Sequence, residues 1–118
     1  MGDLVDLHPP IVEGLLAADA VSTALAQHVD EVARCYEARL AIDPGLAGRV
    51  ELRLVVGALG RVMDVPTASG AGPIAPVGAC VADVARGWRF PPPEMSGIAV
   101  VRATFALHPS ANASARDR

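Results

Sequence analysis

The clearest periodicity in the chain runs from residue 19 to residue 43. Apolar side chains fall at Val21, Leu25, Val29, Val32, Tyr36 and Leu40, one face of a helix of about 20 residues. Asp19 stands where an N-cap is expected, and Pro44-Gly45 ends the pattern, since proline cannot continue the helical ladder. The period then changes from helical to alternating. Val50, Leu52, Leu54 and Val56 interleave with Glu51 and Arg53, which predicts a half-buried strand. GALG at 57–60 supplies a turn, and RVMDVPT returns as the second strand of an antiparallel hairpin. Pro66 marks that second strand as an edge or as a strand about to end.

Residues 68–76, ASGAGPIAP, read as a loop. A second helix is predicted beyond them, with Pro76 in its first turn and Val77, Cys80, Val81, Val84 and Trp88 on one face. FPPP at 90–93 closes it, EMSG makes a turn, and Ile98 to Leu107, rich in Val and Thr with Phe105, is the last strand. Residues 1–18, which include LVDLHPPIVEGLL, are broken by Pro9 and Pro10 and are expected to be an arm, linker or short strand. Residues 109–118 form a polar tail, expected to be disordered. The domain proper is therefore placed at 19–108.

Each predicted helix has one apolar stripe to bury, and a sheet with both helices on one face meets that need. The expected fold is α+β: helix, strand, strand, helix, strand, with two helices on one face of a three-stranded antiparallel sheet. The crossover through the second helix leaves room for the first strand between the other two.

At 118 residues the chain suits one domain, and 52% hydrophobic against 19% charged residues is well clear of the disordered regime. Its only aromatic residues are Tyr36, Trp88, Phe90 and Phe105, so Val, Leu, Ile and Ala must fill most of the core. Trp88 and Phe90 are expected as plugs at a helix end, with exposed recognition as the other reading. The net charge is −3, and all ten basic residues are Arg, scattered without the basic stripe that a phosphate backbone requires. No nucleic-acid partner is expected. Lys is absent beside heavy use of Ala, Arg and Gly, which matches the codon usage of a GC-rich bacterial genome. No apolar run reaches the roughly 20 residues of a membrane span, and MGDLVDLHPP lacks the features of a signal peptide. Either the chain is cytoplasmic or it is a piece of a longer exported one.

Two cysteines carry the question of chemistry. A nucleophilic Cys35 needs a base, and His28, two turns away on the same predicted helix, lies roughly 10 Å along the axis. SGAGP is followed by no Lys and is not a phosphate loop, and Asp30, Glu31 and Glu37 read as a solvated helix face. No metal-ligand spacing is present either. No catalytic residue, metal, cofactor or small-molecule substrate is therefore expected. Two readings of the cysteines stay open: inert core thiols, or a bridge between the two helices. Such a bridge would close a loop of about 45 residues, worth on the order of 3–4 kcal/mol.

Several local motifs fall together in a fixed order: Cys35-Tyr36-Glu37, Pro44 to Val50, Gly60-Arg61-Val62, Cys80-Val81 and Trp88-Arg89-Phe90-Pro91. In this combination, over residues 21–107, the chain resembles the AgmX/PglI C-terminal domain, a TonB C-terminal-like module of myxobacterial and related envelope proteins. It departs from that pattern at Ala103-Thr104-Phe105, where the family usually carries Tyr-Pro-Phe, and in the plain GALG turn. The resemblance implies a Cys35–Cys80 disulfide and a periplasmic, non-enzymatic module. Such a module would link energised inner-membrane machinery, including gliding-motility complexes, to outer-membrane or periplasmic protein partners.

On this reading a partner strand adds to the open edge of the last strand, along Val100, Val101, Arg102, Ala103, Thr104 and Phe105. Arg102 and Thr104 would face outward and Val101, Ala103 and Phe105 inward. Pairing of strand edges between identical chains, giving a homodimer, is a further expectation. The contrasting function class is a small cytoplasmic thiol-dependent enzyme or redox sensor.

Overall fold

A computed structural model describes residues 5–69 and 72–109, and the tail expected to be disordered lies, from residue 110 on, outside the described residues. In chain order its elements are β1 (Val5–Leu7), β2 (Ile11–Glu13), α1 (Ala18–Ala26), α2 (Val29–Leu40), β3 (Gly48–Val56), β4 (Val62–Ser69), α3 (Ala75–Ala85) and β5 (Ala99–Leu107), with short 3-10 turns at Gly72–Ile74 and Glu94–Ser96. The class is α+β, with an antiparallel sheet as expected. The sheet has five strands rather than three, and there are three α-helices rather than two.

The hairpin and the last strand stand where the alternation put them. β3 pairs with β4 on one side and with β5 along its whole length on the other. The turn at 57–60 is closed by Gly60 N–H donating to the Gly57 carbonyl at 2.9 Å. Gly60 has φ +83°, and a Cβ there would run into the Phe90 carbonyl oxygen, so this corner has room only for glycine. Phe90 N–H in turn donates to Gly60 O at 2.8 Å, joining the hairpin to the segment that leaves α3.

The two additional strands are β1 and β2, both from the segment expected as an arm. They line up along the outer side of β5, giving the order β1-β5-β3-β4 with β2 also on β5. Three-residue strands separated by prolines are too short for periodicity to reveal, yet they satisfy the main-chain groups that β5 would otherwise expose.

The predicted 20-residue helix is two helices, separated by Gln27 and His28. His28 leaves helical geometry at φ −108°, ψ 5°, and its ring stacks on Trp88 with centroids 4.8 Å apart and planes 11° from parallel. A contact with a residue 60 positions away thus overrides a continuous stripe. α1 also starts earlier than expected: Ala17 is its N-cap, and Asp19 lies in the first turn, where its charge suits the helix dipole. α3 begins at Ala75 with proline in its first turn.

One sheet face carries the helices. Val50, Leu52, Leu54 and Val56 of β3 and Val101, Ala103 and Phe105 of β5 are buried on it, together with Val21, Val32, Tyr36, Val77 and Val81 from the helices. Trp88 and Phe90 are buried plugs, with Trp88 edge-on to Phe105. The Tyr36 hydroxyl, in the core, donates to the Leu46 carbonyl and ties the end of α2 to the approach to β3. Burial, and secondarily the charge of Asp43, raise its pKa, which keeps it protonated and donating. The other sheet face is bare, with Arg49, Glu51, Arg53 and Arg102 exposed on it.

Candidate functional site

The strand assigned to partner binding is an interior strand. Residues 100–105 of β5 pair with β3 on one side, and on the other they meet the chain's own arm. The expectation of an open edge at Val100, Val101, Arg102, Ala103, Thr104 and Phe105 is therefore corrected, and residues 5–13, expected as an arm, linker or short strand, form two short strands. The orientation of the side chains is as expected, with Val101, Ala103 and Phe105 buried, Thr104 half-buried and Arg102 exposed.

The arm docks in two steps. In β1, Val5, Asp6 and Leu7 face Leu107, Ala106 and Phe105; in β2, Ile11, Val12 and Glu13 face Arg102, Val101 and Val100. Between them three arm residues, His8, Pro9 and Pro10, span only two of β5, Ala103 and Thr104. This extra residue acts as a bulge and shifts the phase. Val5 faces the core at an odd position, whereas Val12 opposes Val101 at an even one. His8 N–H donates to Thr104 O at 3.0 Å, but Pro9 and Pro10 have no N–H to offer, so the ladder lapses at the elbow.

Charges and glycine help seat the arm. Glu13 lies 3.9 Å from Arg102, and Asp6 lies 3.5 Å from the His108 ring, all four side chains being substantially exposed. Gly14, at φ +114°, passes so close to β5 that a Cβ would sit 2.9 Å from Ala99 Cα. Beyond it, Glu94 N–H donates to Leu15 O at 2.8 Å. Sequence reasoning missed these residues, although apolar pairs on both sides of a Pro-Pro dipeptide are a signal for a broken edge strand.

Among the described residues the two unpaired edges of the sheet are the short β1 and β2 on one side and, on the other, β4. It contains Pro66, which cannot donate to a neighbour, and two register irregularities interrupt its pairing with β3. Both features blunt an edge against further pairing.

Cys35 and Cys80 are bonded to each other, with Cα atoms 5.8 Å apart, joining α2 to α3. Cys35 is buried and Cys80 is at the surface. A thiol-dependent reading would need one of them free, and neither is in this state. Near this staple Glu31 gathers two partners, accepting from Trp88 Nε1 at 2.8 Å and lying 3.1 Å from His28 Nδ1. Burial pushes the Glu31 pKa up, but these hydrogen bonds and the nearby His28 and Arg34 outweigh it and hold the carboxyl below its usual range. Glu31 therefore belongs to a structural cluster rather than to the solvated face read from the sequence.

Among the described residues no group of three His, Cys, Asp or Glu is placed to hold a metal ion, and no helix is long and apolar enough to cross a membrane. No protein-family model, curated protein or solved structure matches the chain.

Proposed function

We propose that the chain is a non-enzymatic interaction domain that receives an extended segment of a protein partner along β5. The observation that carries this reading is the arm itself. β5 holds an antiparallel segment from outside the helix–hairpin–helix–strand core, in two short pieces with a proline gap between them. Main-chain pairing gives such a groove affinity, and alternate side chains give it selectivity. A partner segment that paired continuously, without the elbow, would make hydrogen bonds that the arm forgoes at Pro9 and Pro10. The arm is then an in-chain occupant that a partner displaces. The TonB C-terminal-like resemblance supports the same kind of role, in the cell envelope and as part of a longer exported protein. The Cys35–Cys80 bond suits an oxidising compartment such as the periplasm.

The test uses a labelled peptide with the sequence of residues 4–14, offered to the full chain and to a locked variant. Asp6→Cys with Ala106→Cys joins the arm to β5 at a directly facing pair on the bare face of the sheet. Exchange of peptide for arm is expected in the native chain and not in the oxidised locked variant. Equal binding by both overturns the reading. So does failure to bind accompanied by hydrogen exchange in the arm as slow as in β3.

A further inference from the structure

The bare face of the sheet holds a groove of about 390 Å3, lined by Pro9 and Ile11 of the arm, Glu51 and Arg53 of β3, and Arg102 and Thr104 of β5. Its volume lies within the range of small-ligand sites. Arg53 and Arg102 are directly facing residues in the β3–β5 register, and both are exposed on this side. Like charges placed directly opposite each other destabilise a sheet, so this pair is an expense that the fold does not require. It is only partly neutralised internally. Among the described residues Arg53 makes no ion pair, and Arg102 reaches only Glu13, at 3.9 Å, the limit of such a contact. Thr104 Oγ1 has no hydrogen-bond partner among the described residues either.

We infer that this groove binds the carboxylate of an acidic peptide segment. Two guanidinium groups side by side present donors that match a planar carboxylate and relieve their mutual repulsion when it is bound. The Thr104 hydroxyl adds a neutral donor on the same strand. Glu51 in the groove and Glu13 beside it offset much of the arginine charge, which penalises a phosphate dianion more than a singly charged carboxylate held by the paired guanidinium donors. Ile11, 59% exposed, and Pro9 give an apolar wall on which a side chain adjoining the acidic residue can rest. Charge and shape thus select an acidic residue beside an apolar one. This site needs the arm docked but does not need it to exchange, so it is independent of partner-strand capture along β5.

The probe is a labelled, end-blocked pentapeptide with one Glu between two Leu, titrated by fluorescence anisotropy into the full chain. Its Gln counterpart is titrated beside it, and a Gln peptide with a free C-terminal carboxylate tests whether the carboxylate can come from a chain end. The Glu peptide is expected to bind at least about tenfold more tightly than the blocked Gln peptide, and Arg53→Gln or Arg102→Gln to weaken it by a similar factor. Raising salt to about 0.5 M should weaken it as well. Arg53→Gln should melt no lower than the native chain, because it removes one of two facing like charges, whereas Arg102→Gln also gives up the contact with Glu13. Equal binding of Glu and Gln peptides, or unchanged binding by both variants, overturns the inference. Inorganic phosphate displacing the peptide at lower concentration than acetate overturns the carboxylate assignment. An Arg variant that loses the Glu peptide while still exchanging the arm peptide separates this site from the strand-capture groove.

Discussion

Reduction of the Cys35–Cys80 bond tests how much of this domain's stability lies in one covalent link. The bond spans 45 positions. In the chain-entropy treatment, closing a loop of that length removes about 13 cal/mol/K from the unfolded ensemble, or about 4 kcal/mol at 25 °C. With an unfolding entropy of about 2.1 cal/mol/K per residue, a domain of this size loses roughly 15–20 °C in Tm for 4 kcal/mol. That is a large share of the 5–15 kcal/mol typical of a whole domain. Reduction is a cleaner perturbation than mutation, because both sulfurs stay in place and the packing of buried Cys35 is little altered. The assay is a pair of circular-dichroism melts, with and without reductant, on native protein whose bond has been verified by intact mass. The Cys35→Ala/Cys80→Ala double variant should melt slightly below the reduced form, through the lost sulfur contacts. A reduced protein melting within about 5 °C of the oxidised one would refute the assignment of the bond as a major source of stability.

Three other outcomes follow from single contacts. Tyr36→Phe removes the buried donor to the Leu46 carbonyl and should cost about 1–3 kcal/mol, read as a lower urea midpoint at unchanged m-value. Gly60→Ala places a Cβ against the Phe90 carbonyl at positive φ and should cost at least about 2 kcal/mol by the same denaturation assay, whereas Gly45→Ala, where a Cβ meets nothing, should cost far less. Glu31 is held below its usual pKa in the folded state, so its contribution is present above the ordinary glutamate value of about 4.3 and is lost as pH falls through the lowered folded value. Melting temperature followed from about pH 6 down to about pH 3 should therefore fall more steeply in the native chain than in Glu31→Gln.

The hairpin, α3 and the last strand were legible from the sequence because their determinants are local. Val50, Leu52, Leu54 and Val56 alternate strictly, and glycines bracket the 57–60 turn. Pro76 starts a helix with Val77 and Val81 on one face. In each case residues two to four positions apart decide the conformation. The same holds for the inward facing of Val101, Ala103 and Phe105, since parity along a strand is a backbone property.

Two decisions were tertiary. The stripe from Val21 to Leu40 describes one helix, and the break falls at His28, whose ring stacks on Trp88, brought in from just beyond α3. The arm carries no strand period, because the elbow at His8–Pro10 reverses the parity of its apolar positions between Val5 and Val12. Its conformation comes from β5, whose unpaired main-chain groups supply the template; the apolar pairs flanking Pro9-Pro10 mark a broken strand but not the strand it joins. By itself the sequence determined which segments could form elements and which faces they would bury. Whether β5 would be an edge or an interior strand depended on main-chain partners nearly a hundred residues away, and sequence spacing holds no record of those.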